Sequence, residues 1–90
     1  MPTTLTALYV KHYTTLVRLA ALLLDDRGAS EEVVQDAYVK MHAAWRRIDD
    51  TDRALAYLRQ TVVNLARSRM RRRLMVIKHA PKRTTASEVA

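Results

Sequence analysis

The sequence predicts an all-α fold, a compact three-helix bundle with a basic, mostly flexible C-terminal tail. Among 90 residues, glycine occurs once and proline twice, while leucine, alanine, valine and arginine are plentiful. That composition favours helices. Apolar residues recur at helical spacing in three stretches separated by short polar segments. We assign one domain to residues 1–73, and a tail or the first part of a linker to residues 74–90, because a chain of this length builds a single core.

The first helix is predicted from about Leu5 to Leu24, with Thr3 or Thr4 as its N-cap. We expect Gly28 to end it as a left-handed C-cap, because glycine takes that conformation without strain. The apolar stripe of this helix consists of Leu5, Leu8, His12, Leu16, Leu19, Ala20 and Leu23.

A second helix is predicted from Ser30, a favourable N-cap, to about Arg46. Its apolar stripe consists of Val33, Val34, Ala37, Tyr38, Met41, Ala44 and Trp45. The polar residues 47–52 form a short connection, and Thr51 or Asp52 is expected to cap the third helix. Short connections between three amphipathic helices indicate a compact bundle.

The third helix, residues 51–73, carries two different faces. Its inward stripe consists of Leu55, Leu58, Val62, Leu65 and Ala66. Its outward stripe, at steps of three and four residues, consists of Arg53, Tyr57, Gln60, Asn64, Arg67 and Arg71. This outward face combines cations for phosphates, an aromatic ring that can stack on a base, and amides that can hydrogen-bond a base edge. The helix ends in Arg71, Arg72 and Arg73, and we interpret it as a nucleic-acid reader.

Charge is distributed unevenly along the chain. Residues 1–45 carry a net charge of −1 and residues 46–90 a net charge of +8. Such asymmetry indicates a basic surface for an anionic partner, although a basic tail that only aids solubility would look the same. The arginine-rich end together with the outward stripe favours nucleic acid.

The sequence offers little that supports catalysis or cofactor binding. There is no cysteine, and the three histidines, His12, His42 and His79, do not have the spacing of a local metal site. The only glycine cannot make a phosphate-binding loop, and the acidic residues lie where helix caps are expected. We therefore predict no enzyme activity, cofactor, metal or small-molecule substrate. The longest purely aliphatic run, residues 19–24, is too short to cross a membrane, and we expect a cytoplasmic protein.

Two segments resemble region two of bacterial sigma factors, in the extracytoplasmic-function group of the sigma-70 family. They are EEVVQDAYVKMHAAWRRI at residues 31–48 and AYLRQTVVNLARSRMRRR at residues 56–73. The matching positions are Glu31, Glu32, Val33, Val34, Gln35, Asp36, Tyr38, Lys40, Ala44, Trp45, Tyr57, Leu58, Arg59, Asn64, Ala66, Arg71, Arg72 and Arg73. Tyr57 departs from the pattern, which often has tryptophan there. The family's short preceding helix and its −35-reading domain have no counterpart in these 90 residues, which suggests an isolated domain.

The resemblance implies a transcription-initiation role and specific partners. Region two docks on the clamp helices of the RNA polymerase β′ subunit, then recognises and melts the promoter −10 element, which it binds as single-stranded DNA. By resemblance, the polymerase-binding residues are Gln35, Asp36, Tyr38 and His42. The resemblance and the outward stripe together give the DNA-binding residues as Ile48, Arg53, Tyr57, Gln60, Asn64, Arg67, Arg71, Arg72 and Arg73.

Two other functions agree with the same residues. The bundle could be a helical protein-interaction module, for example one that binds an anti-sigma regulator, with arginines that serve only solubility. The third helix could also be a basic amphipathic segment on an anionic membrane, although we expect no membrane partner.

Overall fold

The computed structural model describes residues 5–48 and 50–79, and this part of the chain is a bundle of three α-helices. In chain order they are α1 (Leu5–Leu24), α2 (Arg27–Ala44) and α3 (Thr51–His79), with one turn of 3₁₀ helix (Trp45–Arg47) after α2. Each α-helix contacts the other two. The all-α, three-helix prediction is confirmed, and residues 80–90 of the predicted tail lie outside the described residues.

An aliphatic core lies between the helices and uses all three predicted apolar stripes. Its buried members are Leu5, Leu8, Leu16, Val17, Ala20 and Leu24 from α1, Val33, Val34, Ala37, Met41 and Ala44 from α2, and Ala54, Leu58, Val62 and Ala66 from α3. On α3 the smaller Ala54 is fully buried, whereas the predicted Leu55 is only half-buried. His12 is half-buried on the α1 stripe.

The connection between α1 and α2 differs from the prediction. Asp25, not Gly28, takes the left-handed conformation, with φ of 51°. Asp26, not Ser30, is the N-cap of α2, because its side chain accepts a hydrogen bond from the Ala29 N–H at 3.0 Å. Only two residues, Asp25 and Asp26, separate α1 from α2. Aspartate tolerates the left-handed region better than most side chains. Gly28 is therefore already helical.

Ser30 has a structural role inside α2 instead of capping it. Its side chain is fully buried, and its hydroxyl donates a hydrogen bond to the Asp26 carbonyl oxygen at 2.7 Å. The backbone N–H of Ser30 donates to the same oxygen at 2.9 Å. A buried hydroxyl is tolerated here because it is hydrogen-bonded.

Both ends of α3 also differ from the prediction. Asp50, not Thr51 or Asp52, acts as the N-cap, since its Oδ1 accepts the Asp52 N–H at 2.8 Å. At the other end, α3 continues to His79, six residues beyond the predicted end at Arg73. Residues 74–79 are thus helical, although every residue from 71 to 79 is exposed.

We predict that Gly28→Ala stabilises the domain by about 0.4–1 kcal/mol, because alanine reduces the conformational freedom of the unfolded chain. Gly28 has no positive φ, and an added Cβ would meet only Asp26 Oδ1, at 3.5 Å. Urea unfolding followed by circular dichroism measures the change. Ala29→Gly is the matched control and should lower stability. A destabilising Gly28→Ala would mean that Gly28 holds the left-handed position after all.

Candidate nucleic-acid interface

The outward stripe of α3 is exposed along its whole length. Its six members are Arg53, Tyr57, Gln60, Asn64, Arg67 and Arg71, and none of them is buried. Tyr57 is 43% exposed, so part of this aromatic residue is open to solvent on the outward stripe. The stripe faces solvent because residues on the other side of the same helix, such as Leu58 and Val62, are fully buried in the core.

Asn64 faces solvent and does not cap a buried backbone group. Its Oδ1 accepts a hydrogen bond from Gln60 Nε2 at 2.9 Å, one helical turn earlier. Because an amide oxygen can accept two hydrogen bonds, Asn64 still offers a ligand both its Nδ2 donor and an acceptor.

An open pocket of about 210 Å³ lies between α2 and α3 on this face. It is lined by Lys40, Tyr57, Thr61, Asn64 and Leu65. The Thr61 hydroxyl donates to the Tyr57 carbonyl oxygen at 2.8 Å, so its proton is not available to a ligand. The predicted residues Tyr57 and Asn64 are thus brought together. Sequence reasoning gave Lys40 no site role, because periodicity along α2 alone does not tell which of its polar residues lie beside α3.

The three arginines at 71–73 have different surroundings. Arg71 and Arg72 are exposed and make no ion pair within the described residues. Arg73 instead turns back to the α1–α2 connection, where its Nη1 donates to the Leu24 carbonyl oxygen at 3.2 Å and its Nη2 lies 3.8 Å from Asp26 Oδ2. Arg73 therefore also binds the end of α1, where its charge complements the helix C-terminus.

Arg69, which the predicted stripe does not include, connects α3 to α2. Its Nη1 lies 2.6 Å from Glu32 Oε1 and its Nη2 lies 3.9 Å from Asp36 Oδ2. The Arg69 side chain is only 28% exposed, less than either carboxylate. An arginine between two acids on a neighbouring helix therefore links α2 to α3 at the surface.

The predicted polymerase-binding residues on α2 divide into exposed and packed side chains. Gln35, Asp36 and His42 are exposed, whereas Tyr38 is half-buried. The Tyr38 ring packs on Tyr9 of α1, with centroids 4.2 Å apart, and meets His42 edge-on at 4.7 Å. Its hydroxyl is hydrogen-bonded to Thr6 Oγ1 at 2.9 Å.

The same packing affects Tyr9. Burial of this phenol raises the pKa of Tyr9, and the neighbouring Tyr13 and Tyr38 phenols add to the shift. The aromatic contacts thus stabilise the bundle and also hold the surface next to His42 in place.

The predicted loop residue Ile48 lies between the 3₁₀ turn and α3. It is half-buried against the core, and its N–H donates to the Trp45 carbonyl oxygen at 3.1 Å. The neighbouring Asp49 lies outside the described residues.

Comparison with known protein families decides the identity of the domain. The sequence model for Sigma-70 region 2 matches residues 8–74, which cover all of α2 and most of α1 and α3. The chain belongs to the sigma-70 region 2 family. No curated protein and no solved structure matches the chain.

Membership of this family gives the sigma domain its general role. Sigma region 2 is a non-catalytic domain that acts in transcription initiation, and its partners are the RNA polymerase core and promoter DNA. Within the described residues, the sigma domain has no group of three or more His, Cys, Asp or Glu side chains placed to hold a metal. None of its described helices has both the length and the apolar character that a membrane crossing requires.

We predict that Arg73→Ala lowers the free energy of unfolding of the sigma domain by about 0.5–1 kcal/mol, because a charged hydrogen bond to the end of α1 is lost at a partly exposed site. Arg72→Ala, the matched control on the next residue, should change stability by much less. Urea unfolding of both variants measures the difference. Equal effects of the two substitutions would contradict a structural role for Arg73.

Proposed function

We propose that this sigma domain docks on the β′ clamp helices through the exposed face of α2 and recognises and melts the promoter −10 element with the outward face of α3. The observation that carries this proposal is the pocket between α2 and α3. There Tyr57, Asn64 and Lys40 line an open space of about 210 Å³. Aromatic stacking with amide hydrogen bonds is the chemistry that holds an unpaired base.

The docking surface would consist of the polar side chains of α2 that do not face the core. Gln35 and Asp36 are adjacent and exposed. His42 is exposed about two turns after Gln35 on α2, and the Tyr38 ring contacts its imidazole edge-on. Because Tyr38 is packed between α1 and α2, we assign it mainly to holding this surface rather than to direct contact.

Melting requires more than the isolated domain can supply. Unstacking a base costs a few kcal/mol, and the pocket offers one ring and a few hydrogen-bond donors. A domain of this size therefore needs the polymerase core to hold it against the DNA, and we propose that it acts in the bacterial cytoplasm. We also propose that the domain belongs to the extracytoplasmic-function group.

A second candidate function is a protein-interaction module that binds an anti-sigma regulator. The exposed apolar residues at the end of α3 favour it: Leu74, Met75, Val76 and Ile77 are each 57–67% exposed. Beside them, a groove of about 410 Å³ is lined by Ala29, Arg69, Arg72, Arg73, Val76 and Ile77. Apolar and basic side chains together suit an acidic amphipathic partner. Binding of single-stranded −10 DNA separates the two functions, because only the first requires it.

For the polymerase contact, we predict that Gln35→Ala combined with Asp36→Ala weakens binding to a β′ clamp-helix fragment without unfolding the domain. Both side chains are exposed, and Arg69 keeps its shorter contact to Glu32 when Asp36 is removed. Pull-down together with circular dichroism measures both quantities. The control is Lys11→Ala on α1, whose side chain is also exposed. Unchanged capture of the double variant would remove this assignment.

For DNA, we predict that Asn64→Ala costs about 1–3 kcal/mol with the preferred −10 strand and little with a scrambled strand, because it removes a donor to a base edge. Arg71→Ala with Arg72→Ala should instead weaken binding to both strands alike and reduce the salt dependence by about one unit of slope per lost phosphate contact. Fluorescence anisotropy at several salt concentrations measures these effects. An Asn64→Ala variant that loses thermal stability but keeps its sequence preference would show that Asn64 has only a structural role.

A further inference from the structure

We infer that Arg73 is a positioning residue, which joins the ends of all three helices and keeps the exposed end of α3 helical, and that it does so instead of contacting a DNA phosphate. The second half of this inference rests on the proposed function, whereas the first half does not. The inference separates Arg73 from Arg71 and Arg72, with which the sequence groups it as one basic run.

Arg73 contacts the end of one helix and the start of another. Its Nη1 donates a hydrogen bond to the carbonyl oxygen of Leu24, the last residue of α1, at 3.2 Å. Its Nη2 lies 3.8 Å from Oδ2 of Asp26, whose other carboxylate oxygen caps α2 by accepting from the Ala29 N–H. We call these contacts of Arg73 with Leu24 and Asp26 the Arg73 clasp. An arginine suits the clasp because its two terminal nitrogens can reach two separate acceptors.

The Arg73 clasp is the last polar connection between α3 and the rest of the domain within the described residues. Met70 is the last residue of α3 that packs against the core, and no described residue after Arg73 has a hydrogen bond or ion pair to another helix. Val76 and Ile77 line a groove with Ala29, but each is 67% exposed. Beyond the clasp, α3 therefore relies on its own backbone hydrogen bonds, and a helix end without tertiary contacts frays easily.

The clasp also determines how the two neighbouring arginines are presented. Arg71 and Arg72 are exposed and lie between Met70 and Arg73, so α3 is held on both sides of them. They can reach a phosphate without giving up any ion pair within the described residues. Moving Arg73 to a phosphate would instead break the clasp, and the Asp26 carboxylate beside it would repel the phosphate charge.

The first test measures amide exchange of residues 74–77 by NMR in the whole 90-residue chain. We expect Arg73→Ala to speed this exchange about two- to fivefold, the size of a charged hydrogen bond lost at a partly exposed site. The matched control, Arg72→Ala, removes the same charge from the next residue and should leave these rates near their wild-type values. Equal rates in the two variants would overturn the first half of the inference.

A substitution at the other side of the clasp tests the link to α2. Asparagine is as favourable an N-cap as aspartate, so Asp26→Asn keeps the cap of α2 and removes the negative charge that faces Arg73. We expect exchange at residues 74–77 to be faster than in the wild type, by a smaller factor than in Arg73→Ala, because the hydrogen bond to Leu24 remains. Unchanged exchange in Asp26→Asn would remove α2 from the clasp.

A core substitution separates local opening of the helix end from a general loss of stability. Val62 is fully buried, and Val62→Ala leaves a cavity that lowers the stability of the whole domain. Amides of the core should then exchange faster, while residues 74–77, which open locally, should keep their rates. If Val62→Ala speeds exchange at residues 74–77 as much as Arg73→Ala does, Arg73 has no specific hold on the end of α3.

The second test measures DNA binding by fluorescence anisotropy, with a fluorescein-labelled single strand of about 12 deoxythymidines at several salt concentrations. We expect Arg72→Ala to reduce the slope of log affinity against log salt by about 0.7, the value of one phosphate contact on a single strand. Arg73→Ala should keep the wild-type slope, because no phosphate contact is lost.

The two tests distinguish failure of this inference from failure of the proposed function. If Arg73→Ala reduces the slope as much as Arg72→Ala does, Arg73 contacts phosphate and the second half of the inference is wrong, while the proposed DNA recognition stands. If the wild type does not bind the strand, the proposed DNA recognition fails together with that second half, and amide exchange still decides whether the Arg73 clasp holds the end of α3.

Discussion

The close approach of the three helices at buried alanines is the constraint on which the rest of the structure depends. Ala20 of α1, Ala37 of α2, and Ala54 and Ala66 of α3 are all fully buried. Small side chains at helix contacts let the axes approach, and larger residues such as Leu58 fill the remaining space. Once the inward side of α3 is fixed in this way, its outward side is fixed as well. The pocket beside Lys40 is a consequence of that register.

Some cations of the basic half of the chain, residues 46–90, make contacts within the fold, and others are left for a partner. Arg69 and Arg73 reach across to α2 and to the α1–α2 connection, while Arg67, Arg71 and Arg72 make no ion pair within the described residues. Net charge therefore overstates the number of cations available to a phosphate backbone. Surface ion pairs of this kind stabilise a fold only modestly. They add to contacts between helices that the core already sets.

The periodicity of the sequence correctly predicted the features that many residues determine together. The bounds of α1, the inward faces of all three helices and the exposed stripe of α3 were all predictable, because each is supported by several side chains at helical spacing. The family resemblance could be recognised in the sequence for the same reason, since it rests on many matching residues in a fixed order. The role of single residues as caps was not predictable in this way.

The local errors have specific physical causes. Glycine is permitted in the left-handed region but not required there, and Asp25 takes it because Asp26 already caps α2. Leu74 to Ile77 lack a core to pack against, yet α3 continues through them, because adding a residue to an existing helix costs far less than starting one. Lys40 could not be assigned to the pocket, because its neighbours come from another helix.

The continuation of α3 has a consequence for whatever is attached after it. Between Arg71 and His79 the helix rises about 12 Å without a break, and all of these residues are exposed. While this exposed segment stays helical, it carries the end of α3 away from the core. The direction and distance at which the following chain departs are then set by the packing of Leu58, Val62 and Ala66, and a small rotation of α3 in the core would be magnified at His79.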